Sequence, residues 1–463
     1  TVEGLKNLDR ILDFIQEGLM EHAKNTGGSK TARVKMLFQP QIVLTNNIEN
    51  ITHILKTKMD NYGKGPTFSY RFQSLLGDGI FNTDGDRWYN HRKTSAHLFN
   101  LNKFKTGVLD TFNDHADKLI SILNSSTVLD IQSLMFKFTL DSIGKIAFGY
   151  DIGALDSEKI QFAEDFDYCQ ESVNNSFFDP LWLMKRFFTP SGWKYFLALR
   201  RIDAFAYNVV RKKREAVARL SAEERLDDGC AARGGSDLLS LYLSRQDKEN
   251  GGILSDKYLR DVVLNFMIAG RDTTAQALSW SFFLLCCNPE EQRKVQAEID
   301  AVLEKDPPTD GGHISFSALQ SMKYLEAACM EVLRLYPSVP KEAKHAYGPD
   351  TLPDGTEIKG GEIVSFAPYI MGRDPTLWED PLEFKPSRFF ETKKPSPFVF
   401  TAFQAGPRIC LGQNMAILEM KCVLARVLSK FAVRLGQDRS TVTYRNSITL
   451  PIKDGLLVSM APR

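Results

Sequence analysis

Phe403-Gln-Ala-Gly-Pro-Arg408-Ile-Cys410-Leu-Gly412 is the run from which the rest of the chain is read. It sets one cysteine between two glycines, behind a phenylalanine and an arginine. A helix-patterned stretch follows at once (Asn414, Met415, Ile417, Leu418, Met420, Val423, Leu424, Val427, Leu428). Gly406 and Gly412 let the backbone turn tightly and approach a flat ligand with no side chain in the way. A helix starting near Leu411 aims its first N–H groups and positive dipole end at the sulfur, and both favour thiolate over thiol. The pattern describes a thiolate held ready for a metal. A lone cysteine is more often a buried structural residue; the flanking residues and three further motifs set that reading aside.

The Phe-x-x-Gly-x-Arg-x-Cys-x-Gly pattern resembles the signature of the cytochrome P-450 superfamily, the haem-thiolate monooxygenases. The resemblance extends from about Leu75 to the C-terminus. It implies a mainly α fold with small β-sheets (α+β), one catalytic domain over residues 1–463, and haem b between a long central helix and the cysteine loop. Cys410 is then the iron ligand, and thiolate ligation favours O–O cleavage. Phe403, Gly406 and Gly412 are cofactor-binding by the same match.

With 463 residues and 43% hydrophobic content the chain can bury a large core, and length alone suggests two or three domains. Lys+Arg 58 against Asp+Glu 57 gives no global basic signal, and no nucleic-acid motif is present. Seven cysteines without C-x-x-C argue against a disulfide framework or a zinc site and suit a reducing cytosolic face. No stretch is apolar enough to span a bilayer. The resemblance implies an N-terminal anchor helix in the endoplasmic reticulum membrane, with the enzyme on the cytosolic face. A chain opening at Thr1 is read as lacking that anchor. Monomer is the default state.

Ser255 predicts a cap for a helix running on to Cys287, ~50 Å at the standard rise. Asn288-Pro289-Glu290-Glu291 stops it and starts the next: cap, Pro at the first position, acids in the first turn. A further helix is expected from about Ser317 to Tyr336. Strands are expected around Glu357–Phe366 and Ile448–Val458, with Asp354-Gly355 and Asp454-Gly455 as turns. Arg211 to Asp237 is the stretch expected to be mobile and reads as a solvated helix end plus a linker at about 221–237, with membrane-surface contact as the alternative.

Ala269-Gly270-Arg271-Asp272-Thr273-Thr274 puts a glycine and β-branched residues mid-helix, a poor choice for stability. An acid beside an alcohol could relay protons if the helix is opened there. The resemblance assigns Thr273 to the dioxygen hydrogen-bond network, Asp272 to proton supply and Ala269 to the haem face. Glu331 and Arg334 lie three apart on one helix face in apolar surroundings, and the resemblance adds Arg388 as the third member of a structural triad. Trp88 and Arg92 are one turn apart; by family position they and Arg408 hold the haem propionates, which favour cationic and N–H donors. Lys344 joins them where many members carry Arg. His91, His97 and His345 lack metal-ligand spacing.

No G-x-G-x-x-G or Walker run exists, so electrons must come from a separate protein. The resemblance implies NADPH–cytochrome P-450 reductase, a flavoprotein, with Arg92, Lys93 and Lys421 as docking contacts. It implies reductive activation of O2 and insertion of one oxygen atom into a hydrophobic substrate. Leu76 to Gly85, Phe138 to Ile143 and Ala269 to Trp280 look like the clan, with plant and fungal members, that hydroxylates fatty-acid and alkane chain ends. Leu75, Leu76, Phe81, Phe177 and Phe178 stand at family substrate-contact positions. So do Phe266, Ala269, Val339 and Leu450. The expectation is ω-hydroxylation of a medium- or long-chain fatty acid. The alternatives are hydroxylation of a terpenoid, sterol or other secondary metabolite, a haem-thiolate hydroperoxide isomerase or dehydratase, and a non-catalytic haem sensor.

Overall fold

The computed structural model describes residues 6–35, 40–97, 99, 107–125, 128–224, 237–244, 253–309, 311–391 and 394–463. The protein is mainly α-helical with small β-sheets. The described residues fall into two compact units, one within Phe68–Leu119 and Phe136–Asp272, the other within Thr1–Thr67, Ile120–Met135 and Thr273–Arg463.

The first unit contains α1 (Gly85–Ala96), α2 (Gln161–Ser176), α3 (Trp182–Phe188), α4 (Pro190–Glu224) and α5 (Asp256–Met267). Helical spacing explains α4: Tyr195, Ala198, Ile202, Ala206 and Val209 recur every three or four residues, and all are buried. Phe162, Phe166, Cys169 and Val173 form the matching buried face of α2. Each large apolar side chain so buried is worth roughly 1.5–3 kcal/mol. Ser255 caps α5 by accepting from the Tyr258 N–H at 3.2 Å. The helix end expected from Arg211 runs through Glu224, into the linker placed at about 221–237, and Asp237 caps a short helix, Leu238–Leu243. Residues 225–236 lie outside the described residues.

The second unit carries α6 (Thr273–Cys287), α7 (Pro289–Lys305), α8 (Lys323–Leu335) and α9 (Gln413–Leu428). Its largest sheet is built from β1 (Thr31–Val34), β2 (Ile42–Thr45), β3 (Tyr62–Gly63), β4 (Glu342–Ala346) and β5 (Ile363–Phe366), in the order β1-β2-β5-β4-β3. Only β2 and β5 pair in parallel. Val43, Ile54, Leu55, Tyr62, Val364, Phe366 and Ala405 share one core. That core therefore reaches the residue before Gly406 and supports the cysteine loop from beneath.

Three details differ from the sequence reading. Asn288 does not cap α7; its amide donates to Leu284 O at 2.8 Å and closes the preceding helix instead. The helix expected over 317–336 is two, Phe316–Ser321 and α8, broken at Met322. Glu298 of α7 accepts from the N–H groups of Tyr324 and Leu325 at 2.7 and 2.8 Å, so a distant carboxylate caps α8. The strand expected over 448–458 begins only at Leu457 and runs to Pro462, after the Asp454-Gly455 turn.

Candidate active site

The cysteine loop is a sequence of tight turns. Thr401–Phe403 makes a 3₁₀ turn, Gln404 sits at φ 62°, and Gly406–Arg408 makes a second 3₁₀ turn. Gly406 has φ +68°, and a Cβ there would lie 2.2 Å from Leu55 O, so only glycine lets the loop lie on its support. The Cys410 N–H donates to Phe403 O at 2.9 Å and closes the loop. Cys410 is exposed, whereas the other five described cysteines are buried or half-buried. Gly412 occupies the N-cap position of α9. Arg408 is half-buried.

Beside this loop stands Glu342, the first residue of β4, hydrogen-bonded to the Gln404 side chain. Burial pushes its carboxyl up, but Lys344, Lys64 and Gln404 outweigh that and hold it below its ordinary value. Lys344 is buried, with Nζ 3.7 Å from Glu342.

Three segments of the same unit meet at the start of α6. Ser338 donates its hydroxyl to Thr273 O at 2.7 Å. The Leu450 N–H reaches Ser338 O at 3.0 Å and Gln276 Oε1 at 2.7 Å. Gln276 in turn donates to Thr449 Oγ1 at 2.7 Å, and Trp280 Nε1 to Leu450 O at 2.8 Å. Trp280 stacks on Tyr336, with centroids 3.8 Å apart. Thr273 and Val339 keep accessible surface, but Leu450 is 1% exposed, so it contributes framework more than contact area.

In the other unit the helix opens at Ile268–Asp272, a π turn of the kind found at functional sites. A Cβ on Gly270 would lie 2.5 Å from Ile143, which explains the glycine by packing. Both oxygens of Asp272 are engaged: Oδ1 by Arg271 at 2.8 Å, Oδ2 by Gln170 at 2.8 Å. Arg271 also binds Asp167 at 2.5 and 3.0 Å. Burial pushes the Asp272 carboxyl up, against the pull of Arg271 and Gln170. The carboxylate expected to supply protons is thus held in a buried polar network. Sequence reading missed Gln170 and Asp167, which lie on α2, about a hundred residues before their partners.

Leu76 to Asn82 docks on α5. Gly77 has φ +55°, and a Cβ there would lie 2.2 Å from the Asp261 carboxylate; one on Gly79 would lie 2.0 Å from Asn265. Asp261 and Asn265 accept from the N–H groups of Asp78 and Phe81, each at 3.0 Å. Leu75 and Leu76 are buried, Phe81 is 38% exposed, and Phe178 is half-buried. Phe177 packs with Phe68 and Phe72 beneath the Arg71 guanidinium, and Phe266 is buried against Phe99. Ala269 is half-buried within the π turn. Arg92 stands 5.8 Å over the Trp88 ring, one turn away on α1.

Glu331 is fully buried. It accepts from Arg334 at 2.7 and 2.8 Å, from Arg388 at 3.0 Å and from the Lys385 N–H at 2.9 Å. The rest of the Arg334 fork goes to the carbonyls of Gly372, Pro381 and Glu383. Lys421 is corrected: it is 3% exposed and paired with Glu326 at 3.3 Å, so it offers no docking surface. Lys93 is exposed.

The family model for cytochrome P450 matches residues 12–458. Cytochrome P450 704C1 of Pinus taeda is 41% identical over 489 aligned positions, covering 99% of this chain and 90% of its own. Cytochrome P450 monooxygenase cyp1 of Mycosarcoma maydis is 34% identical over 437, covering 89% of this chain and 67% of its own. Among solved structures, the cytochrome P450DA heme domain superposes with a TM-score of 0.81 at 21% identity, covering 98% of this chain and 94% of that one.

Proposed function

The chain belongs to the cytochrome P450 family and is a haem-thiolate monooxygenase, and from that premise we propose that it hydroxylates the terminal carbon of a medium- or long-chain fatty acid. The residues present fit the cofactor. An exposed sulfur at the entrance of α9, on a loop whose backbone is closed by hydrogen bonds, offers the soft anionic donor that a thiolate-ligated iron needs. Cys410 would hold the iron, and Trp88, Arg92, Arg408 and Lys344 would hold the propionates. The haem, when bound, supplies the activation of O2.

The chain's own residues do the rest. Thr273 stands at the first turn of α6, its backbone carbonyl held by the Ser338 hydroxyl. Asp272, the residue before it, is the assigned proton source. The observation that carries the chain-end reading is the Gly77-to-Asn82 segment, which resembles chain-end hydroxylases and is held on α5 through Asp261 and Asn265. Electrons from NADPH enter through a separate flavoprotein reductase, and residues 1–463 act as one catalytic domain.

We place the protein at the cytosolic face of the endoplasmic reticulum membrane. No helix among the described residues is long and apolar enough to cross a membrane. What supports surface attachment is α3 and the start of α4: Met184, Phe187, Phe188 and Trp193 are all more than half exposed, beside Lys185 and Lys194.

The test is titration of the ferric protein with saturated fatty acids of rising chain length, followed by product analysis with a competent reductase. A blue shift of the Soret band and oxygen at the terminal carbon are expected. Binding without terminal oxidation would replace the chain-end assignment, and no response at any length would remove the fatty-acid one.

A further inference from the structure

A cavity of about 700 Å³ opens in the second unit, and none of the residues assigned above to haem or substrate lines it. Pockets that take small ligands typically span ~300–1,000 Å³. Phe283 and Leu284, near the end of α6, are buried in its apolar wall. Tyr336, whose ring stacks on Trp280, forms another side. Leu382 and Arg439, both exposed, stand at the rim.

Donors outnumber acceptors in this lining. Arg373 is 8% exposed, and its Nη1 donates to the carbonyls of Leu335 and Tyr369, the latter at 3.3 Å. Its guanidinium lies 3.6 Å over the Tyr369 ring and 5.0 Å over Tyr336. Among the described residues its Nε and Nη2 make no hydrogen bond, and neither Arg373 nor Arg439 forms an ion pair. The Tyr336 hydroxyl has no hydrogen bond there either. Burial pushes that phenol up and both arginines pull it back, so both stand near it. The acids close by are already engaged. Asp438, the one acid in the lining, accepts from the Ser440 N–H at 2.9 Å. Asp13 takes the Tyr369 and Tyr444 hydroxyls, each at 2.9 Å. A cation held in a protein wall is costly unless an anion joins it.

We propose that this cavity is a second binding site, apart from the haem, for a small carboxylate carrying an apolar body. Arg373 and Arg439 hold the carboxylate, and the Tyr336 hydroxyl is a third donor. The body lies against Phe283, Leu284 and Leu382. A guanidinium fork matches the two carboxylate oxygens and forms charge-assisted hydrogen bonds with them. An uncharged molecule of equal shape keeps the apolar contacts and forfeits those bonds. A bare oxyanion keeps the bonds and forfeits the contacts.

The experiment titrates 2-naphthoate, 2-naphthalenemethanol and inorganic phosphate into the ferric haem protein, reading the heat of binding and the Soret band together. Wild type, Arg439→Gln and Arg439→Lys are compared; residue 439 is exposed, so both variants should fold and keep the parent spectrum. Naphthoate is expected to bind wild type at least tenfold more tightly than either other probe, with the Soret band unmoved. Arg439→Gln should cut naphthoate affinity at least fivefold and leave the alcohol unchanged, while Arg439→Lys keeps most of the preference. Absence of naphthoate binding, or equal affinity for the alcohol, would overturn the proposal. So would a Soret shift that tracks the heat, which would put the probe in the haem pocket. Phosphate binding as tightly as naphthoate would reduce the site to a general anion patch, and undiminished naphthoate affinity in Arg439→Gln would remove the arginine from it; either result overturns the assignment.

Discussion

Gln170 reaches from α2 to Asp272 and places its amide nitrogen 2.8 Å from Oδ2, while Arg271 holds Oδ1 at the same distance. The pair works against burial at the acid beside Thr273. Burial raises the Asp272 carboxyl from 3.8 to about 6; Arg271 and Gln170 oppose the rise. Removing the Gln170 donor should raise it further. Gln170→Leu is therefore expected to move the Asp272 limb of the pH–turnover curve to higher pH. Asp272→Asn should lower turnover on the order of 10²-fold or more, with more reduced oxygen wasted per product. Steady-state rates and peroxide yield from pH 5 to 8 measure both.

The same shift is a stability statement. A carboxyl whose folded value is raised favours the fold fully below its unfolded value, and that contribution is lost as pH rises through the folded value. For Asp272 the window runs from 3.8 to about 6. Asp272→Asn should flatten that part of the melting-temperature profile, as thermal unfolding across the window would show.

Glu331 carries two guanidinium groups and a backbone N–H in a site closed to water. Removing one partner of a buried pair costs about 3–5 kcal/mol. Glu331→Ala and Arg334→Ala should each yield little folded protein. Arg388→Ala, at the more accessible end, should fold with a lowered midpoint in urea. Equal midpoints for Arg388→Ala and wild type would assign the second bond no energetic weight.

Gly79→Ala drives a methyl into Asn265, and Gly77→Ala adds left-handed strain of about 1–2 kcal/mol to a clash with Asp261. Both should loosen the 77–82 segment and weaken substrate binding. Pairing Gly79→Ala with Asn265→Ala should restore part of the loss by making room. Substrate titration of the single and double variants decides it, and strict additivity would count against the contact.

Phe188 is 81% exposed and Trp193 65%. Replacing both with Glu should reduce co-sedimentation with phospholipid vesicles severalfold and leave the ferric spectrum unchanged. Undiminished sedimentation would remove α3 from the membrane face.

Local chemistry made much of the site legible. The cysteine loop, the Ser255 cap, Pro289 at a helix start and the Glu331–Arg334 spacing each depend on neighbours within a few residues. The features that escaped depend on partners far away in sequence. Asp78 bonds a carboxylate 183 residues downstream, and α8 is capped by Glu298 of another helix. Nothing near Met322 warned that the helix would break there. Lys421 looked like a surface charge because its partner, Glu326, lies 95 residues away.

Arg334 grips the chain at Gly372, Pro381 and Glu383 by their carbonyl oxygens and lies 5.4 Å over the Trp378 ring, and a Cβ on Gly372 would lie 2.0 Å from Arg334 O. A carbonyl is common to every residue type. The guanidinium therefore prescribes the route of residues 372–383 while remaining indifferent to most of their side chains, Gly372 and Trp378 excepted. Evolution can rewrite the lettering of that stretch, as long as the path under it stays the same.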